Sequence, residues 1–342
     1  MGSVRAPLIR LAVTLFALGL LLNLAALAAG TAPLDVYAQL VRTTFTPYGL
    51  AQVAFRATPL IILGTALCIS GRAGLLNIGA EGQLIVASLA MGALGPLLPA
   101  KAWALPILII VGTLSGALFA LIPALLRQKV RAPEVMTTIM LNFVAAAFAN
   151  YVIRFLAPAE STHTMPLPQV LRLARLAPGT GSQLSIAFIA ALLLAAFGEW
   201  WLFRTRSGFA LRAYGENPRA AMLFGGAPSL PILAFVVSGA LCGLAAVHYV
   251  GSKGFHEDGF SGGVGFVGLA VALTASERPL FVVPAALLFG FLAHAALAMN
   301  SLVPKEMADV LVAALMLFAL RSRQVVALPV ALAPAAALAG AA

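Results

Sequence analysis

Few side chains in this sequence can do chemistry, and most of them fall in Gly71 to Gln83, GRAGLLNIGAEGQ, between two long apolar runs. Asn77, Glu81 and Gln83 set two amides and a carboxylate close together there. Glu81 could contact a substrate, carry a proton, or accept backbone N–H groups and pair with Arg72 or another arginine. Asn77 could hydrogen-bond a polar ligand or cap a half-helix. Thr137, Thr138 and Asn142 recur at helical spacing, which suits either hydrogen bonds between packed spans or contact with a substrate. Arg56, inside an apolar run, could neutralise Glu81 or reach outward. His294 reads as a packing residue, and Glu199 beside Trp200 and Trp201 as part of an interfacial belt.

Enzymatic chemistry finds no footing. The sequence holds no GxxxxGK[ST] phosphate loop, and Lys253 in GSKGF lacks the rest of one. Its four histidines show no ligand spacing such as HExxH. Cys68 and Cys242 sit inside apolar runs and read as small buried hydrophobes rather than a disulfide or metal pair. No catalytic residue, metal or cofactor is expected in this chain. Work against a gradient must be powered by a partner or by a coupled ion.

The elements that position these residues are membrane spans. The chain is 62% hydrophobic and 9% charged, against roughly a quarter charged for soluble domains. A segment with a carboxylate and a loosened backbone is costly beside lipid and must face protein or a watery path. Hydropathy predicts ten spans: an uncleaved first one within Val4 to Gly30 in place of a secretory signal, then 49–70, 83–100, 102–126, 135–157, 184–203, 231–250, 264–275, 280–298 and 308–321. The eighth is short enough to be half of a broken helix. Of the 21 Lys and Arg, thirteen fall in segments that are cytoplasmic if the N-terminus is inside, and six in outer ones. That bias explains the net charge of +10 by membrane orientation rather than by nucleic acid, and puts both termini in the cytoplasm.

Ten spans divide into two five-helix halves of opposite orientation. Gly-rich breaks then correspond: Gly71 to Gln83 in one half and Gly259 to Gly268, GFSGGVGFVG, in the other, the pattern of an inverted repeat around a pathway. The expected fold is an all-α polytopic membrane protein with broken helices at both segments. Residues 1–324 form one permease domain, and 325–342 an irregular Ala/Pro-rich tail. In the longest inner loop, Asn217 can cap a helix, Pro218 suits its first position, and Gly225 and Gly226 can end it. A helix of about two turns, carrying Ala220, Ala221 and Phe224, is either a plug for a cytoplasmic partner or an interfacial helix on lipid.

Five ordered segments carry a resemblance: GRAGLLNIGAEGQ, VRAPEVMTTIMLN, LRAYGENPRAAMLFGG, GVGFVGLAVAL and VPKEMADVLVAALMLF. Together they resemble the membrane permease subunit of bacterial ABC importers of the nucleoside and simple-sugar type, related to the branched-chain amino-acid permeases. The likeness implies import of nucleosides, with a sugar or another small polar metabolite as the alternative substrate and an ion-coupled secondary transporter as the rival class. It implies a cytoplasmic ABC ATPase with two fused nucleotide-binding domains that binds the ATP, a second permease, and an extracytoplasmic substrate-binding protein, in the bacterial inner membrane. Carried onto this chain, Gly215, Asn217, Pro218, Ala220, Ala221, Phe224 and Gly225 become the helix that couples to the ATPase. Asn77, Glu81, Gln83, Asn142, Gly265 and Phe266 become the substrate pathway. One departure stands out: Thr274 to Pro279 reads TASERP where such permeases have small residues and Gly.

Overall fold

The computed structural model describes residues 30–158, 161–223, 227 and 229–298, together with 19, 20, 23 and 27. The first and tenth expected spans, the last resembling segment, the tail, Phe224 and Gly225 lie outside the described residues. Eleven α-helices are described: α1 Pro33–Thr44, α2 Pro47–Arg72, α3 Ala80–Leu94, α4 Ala104–Val130, α5 Glu134–Leu156, α6 Ala187–Arg204, α7 Arg206–Glu216, α8 Pro218–Leu223, α9 Leu230–Lys253, α10 Val264–Thr274 and α11 Pro279–Ala298. Seven of them (α2, α3 with its following 3-10 turn, α4, α5, α6, α9 and α11) are long and apolar enough to cross a membrane. The protein is an all-helical, multi-pass membrane protein.

Two compact units are present, one of Pro47–Phe291 and one of the residues up to Thr46 and from Leu292 onward. In the smaller, α1 opens on Pro33 with Asp35 in its first turn, where an acid suits the positive end of a helix. This helix carries no signal in the hydropathy profile because it is too short to span. The short α7 is likewise absent from the profile, and the expected spans that fall within the described residues differ from the helices found there in their boundaries.

In the larger unit α2 is the most enclosed helix, apolar on all sides. Around it, α4 and α9 cross backbone to backbone. Each carries two glycines four apart, Gly112 and Gly116 on α4, Gly239 and Gly243 on α9, and these face one another. A methyl at Gly116 would stand 2.7 Å from the Gly243 nitrogen, and one at Gly239 would stand 2.6 Å from the Gly116 carbonyl oxygen. Between lipid-solvated helices, where no hydrophobic gain drives association, close backbone approach of this kind supplies the packing energy.

The first Gly-rich break is narrower than expected, and the second begins and ends five residues earlier than Gly259 to Gly268. α2 runs through Arg72 and α3 begins at Ala80, so only residues 73–79 are irregular, and Glu81 and Gln83 stand on the first turn of α3. The second break is residues 254–263. Gly265 and Gly268 belong to α10, where they permit contact rather than bending: Gly265 lies against the Glu81 backbone and Gly268 against Leu63. α10 has eleven residues, roughly 16 Å against the ~30 Å of a hydrocarbon core, as a half-helix should.

The loop after α5 is stitched to the segment following α9. The Thr164 N–H donates to the His256 carbonyl at 2.9 Å, that of Leu167 to Gly254 at 2.7 Å, and that of Asp258 to Thr162 at 3.1 Å. At the opposite end, Arg127 pairs with Glu134 across the left-handed Arg131, closing the turn from α4 into α5.

Candidate functional site

Side chains hold the first break. The amides of Asn77 and Gln83 bond each other reciprocally, both at 3.1 Å. Asn77 also accepts the Gly79 N–H at 3.1 Å and donates to Ser238 on α9 at 3.0 Å. Asn142 of α5 accepts the Gly82 N–H at 2.8 Å and donates to the Ile78 carbonyl at 2.9 Å. Asn77 and Asn142 thus satisfy backbone groups in and beside the break while Gln83 holds the Asn77 amide, so that these buried polar groups are paired. Thr137 and Thr138 do not bond across to another span. Their hydroxyls return to carbonyls of their own helix, Thr138 to Glu134 at 2.7 Å, a local bond that a threonine reaches more easily than a neighbour.

Glu81 joins the two breaks. Its carboxylate accepts the Gly263 N–H at 3.1 Å and the Gly265 N–H at 2.6 Å, both at the start of α10. The backbone-accepting role anticipated for it is present, but the arginine partner is not. Arg72 turns instead to the loop after α10, donating to the Ser276 carbonyl at 2.8 Å and the Glu277 carbonyl at 3.0 Å, with the Glu277 carboxylate 3.9 Å away. None of the four described ion pairs includes Glu81 or Arg56.

Beside this strap lies a cavity of about 390 Å³, within the range of ligand pockets, roughly 300–1,000 Å³. Glu81, Asn142 and Phe266 reach its wall, whereas Asn77, Gln83 and Gly265 stand outside the lining. The lining adds residues that sequence reasoning missed: Asn150, His256, Asp258, Phe143 and Phe260. Asn150, its amide nitrogen turned to Asp258, donates to that carboxylate. His256 is buried, with Nδ1 2.8 Å from the Ser88 hydroxyl and no described partner for Nε2. The one available signal was position, since His256 and Asp258 stand within three residues of the Gly-rich Gly259 to Gly268.

Burial pushes the His256 pKa down from 6.5 to about 4, against the opposing pull of Asp258 and Glu257. The unfolded chain therefore binds a proton that the folded one refuses, and stability is lost as pH falls from 6.5 towards 4. Thermal melting is expected to drop on acidification through that window, and His256→Gln to flatten the drop. Identical pH profiles for the two proteins would contradict the burial argument.

The segment expected to face a partner is a helix. α8 spans Pro218–Leu223, and its Ala220 N–H donates to the Asn217 side chain at 3.1 Å, the cap anticipated. Pro218 is its first residue, and Ala220 and Ala221 lie within it. Gly215 sits one helix earlier, on α7, against the backbone of Arg72 to Gly74, so the first break and the approach to α8 touch directly.

A family model described as the permease component of branched-chain amino acid transport systems matches residues 49–320. The chain belongs to that permease family. Among curated relatives, the permease is 34% identical over 285 residues to the guanosine ABC transporter permease protein NupP of Bacillus subtilis (strain 168), covering 79% of this chain and 80% of the relative. It is 32% identical to the glucose ABC transporter permease protein TsgB13 of Haloferax volcanii, covering 88% and 83%. It is 31% identical to the nucleoside ABC transporter permease protein NupB of Lactococcus lactis subsp. cremoris, covering 76% of each chain. No solved structure gives a significant match.

Proposed function

We propose that this permease is the membrane-spanning subunit of an ATP-driven importer of nucleosides. The observation that carries the reading is its likeness to relatives named for guanosine and nucleosides over three quarters or more of their length. The cavity is consistent with it. Phe143, Phe260 and Phe266 offer faces to a planar ring, Asn142, Asn150 and Asp258 offer polar atoms to hydroxyls, and no Lys or Arg lines the wall to welcome a phosphate. Glucose or a similar sugar is the second reading, favoured by the likeness to TsgB13. A gradient-driven transporter with Glu81 as its coupling site is weaker, because both Glu81 oxygens already hold backbone N–H groups.

In this reading Asn77, Glu81, Gln83, Asn142, Gly265 and Phe266 frame the pathway. The exposed Phe143 marks the side that a second permease closes. Gly215, Asn217, Pro218, Ala220, Ala221, Phe224 and Gly225 form the segment seated in a cytoplasmic ATPase of two fused nucleotide-binding domains. ATP binds there, no cofactor binds this chain, and a binding protein delivers substrate from outside. Residues 1–324 make one permease domain of ten spans in two inverted halves, with both termini cytoplasmic and 325–342 an irregular tail.

Affinity purification of the tagged chain from its own host is expected to recover an ATPase and a second permease. Vesicles carrying that complex and its binding protein should take up nucleoside on addition of ATP, with no effect of an uncoupler. Uptake abolished by an uncoupler while ATP persists would overturn the proposal. Asn217→Ala, which removes the α8 cap at about 1 kcal/mol, is expected to lower uptake several-fold without reducing the amount of permease in the membrane. Unchanged uptake would count against α8 as the coupling element.

A further inference from the structure

Phe203, at the end of α6, is ringed by three guanidinium groups. The central carbons of Arg212, Arg278 and Arg72 lie 4.8, 5.0 and 5.5 Å from its ring centroid, all within cation–π range. Each arginine is anchored on a different element. Arg72 ends α2 at the edge of the first break and holds the Ser276 and Glu277 carbonyls. Arg278 closes the loop that follows α10 and pairs with Glu199 of α6, its Nε donating at 3.1 Å. Arg212 lies on α7, five residues before the α8 cap, and donates to the Leu202 carbonyl at 2.9 Å.

One aromatic ring therefore touches the inner ends of both broken segments and the helix that leads into α8. Apolar packing runs beside it, where Leu75 of the first break, Leu202 of α6 and Leu211 of α7 share one buried cluster. Three mutually repelling cations gathered on a ring need that ring's negative face and the carboxylates of Glu199 and Glu277 to stay together. If α7 shifts, Arg212 leaves the ring and the other two lose a common contact.

We infer that Phe203 is a positioning residue that transmits displacement of α7 and α8 to the first Gly-rich break and to the C-terminal end of α10. This rests on the reading of α8 as the ATPase-coupled segment. The test uses the complete transporter in proteoliposomes, with ATP hydrolysis and nucleoside uptake measured on the same preparation. Phe203→Leu, which keeps apolar bulk and removes the π face, is expected to lower uptake per ATP about tenfold while assembly and hydrolysis persist, and Phe203→Tyr to restore it. A merely structural role would move assembly and hydrolysis along with uptake, and that result overturns the inference. So does an unchanged ratio. Should Phe203→Leu fail to assemble, Arg212→Lys, which keeps the charge and loses the planar fork, carries the same two outcomes. Wild-type transporter without ATP-dependent uptake would sink the transport reading and this inference together. Wild-type uptake with an unchanged Phe203→Leu ratio would sink this inference alone.

Discussion

Glu81→Ala is expected to prevent the permease from holding its two breaks together. The substitution strips acceptors from the part-buried Gly263 N–H group and the buried Gly265 N–H group. Unsatisfied buried groups cost about 1–3 kcal/mol each, so the pair represents about 2–6 kcal/mol out of a total stability on the order of 5–15 kcal/mol. Glu81→Gln keeps one acceptor oxygen and should fall between alanine and wild type. Thermal midpoints in a mild detergent, measured beside nucleoside uptake, separate the roles open to this carboxylate. A large loss of stability that scales from Gln to Ala supports the strap. Full stability with uptake abolished would instead make Glu81 a participant in transport, and full stability with full uptake would contradict both.

The second large effect is expected at the crossing of α4 and α9. Gly116→Val puts branched bulk where even a single methyl meets the backbone of Gly239 and stands 2.7 Å from the Gly243 nitrogen. These obstacles are main-chain atoms inside helices and cannot swing aside like a side chain. Overpacking ordinarily costs about 1–3 kcal/mol, and rigid backbone on the far side puts this case at about 3 kcal/mol or more. Gly116→Ala should cost less, and Gly179→Ala, whose added methyl meets nothing within 4 Å, should be close to neutral. Melting curves of the three proteins decide it, and a Gly116→Val midpoint equal to that of Gly179→Ala would refute the close crossing. The consequence reaches the first break, because Asn77 bonds Ser238, the residue before Gly239. A separated crossing removes that contact too.

Hydropathy located the seven described spans to within a few residues, because hydrocarbon thickness and the need to satisfy every backbone group leave a membrane helix little freedom. It could not say how the spans touch. The two glycine pairs were visible in the sequence, but four-residue glycine spacing is common in apolar helices and names no partner. The breaks were visible as interruptions, yet the first was drawn too long at both ends and the second five residues too late, since a glycine that allows contact looks the same on paper as one that allows a bend. Gly265 shows this, read as part of a break and found inside α10 against Glu81. Among the site residues, Glu81 and Asn142 announced themselves as polar groups in apolar surroundings. His256, Asp258 and Phe203 did not, because loops and helix ends carry such residues routinely and only tertiary placement distinguishes these.

TASERP, the departure noted in the sequence, has a structural counterpart. Ser276 and Glu277 adopt left-handed backbone angles, φ 54° and 53°, where glycine would fit without strain. Their carbonyls are the acceptors that Arg72 grips, and the next residue, Arg278, is the one that reaches Phe203 and Glu199. The unusual residues thus take part in the arginine cluster that the loop completes.

Glu81 also sets a problem of timing. Its donors follow it by 182 and 184 residues in the chain. At a synthesis rate of ~5–20 residues per second, the ribosome needs roughly 10–40 s to deliver them after Glu81 has emerged. For that interval the carboxylate has reached the bilayer without its glycines, and with six helices, α4 to α9, and the long loop after α5 still to be made. The nascent chain must keep this side chain wet or sheltered by the insertion machinery until α10 arrives. Insertion of α3 is then provisional, and the permease becomes a committed membrane structure only when its last broken helix is threaded against its first.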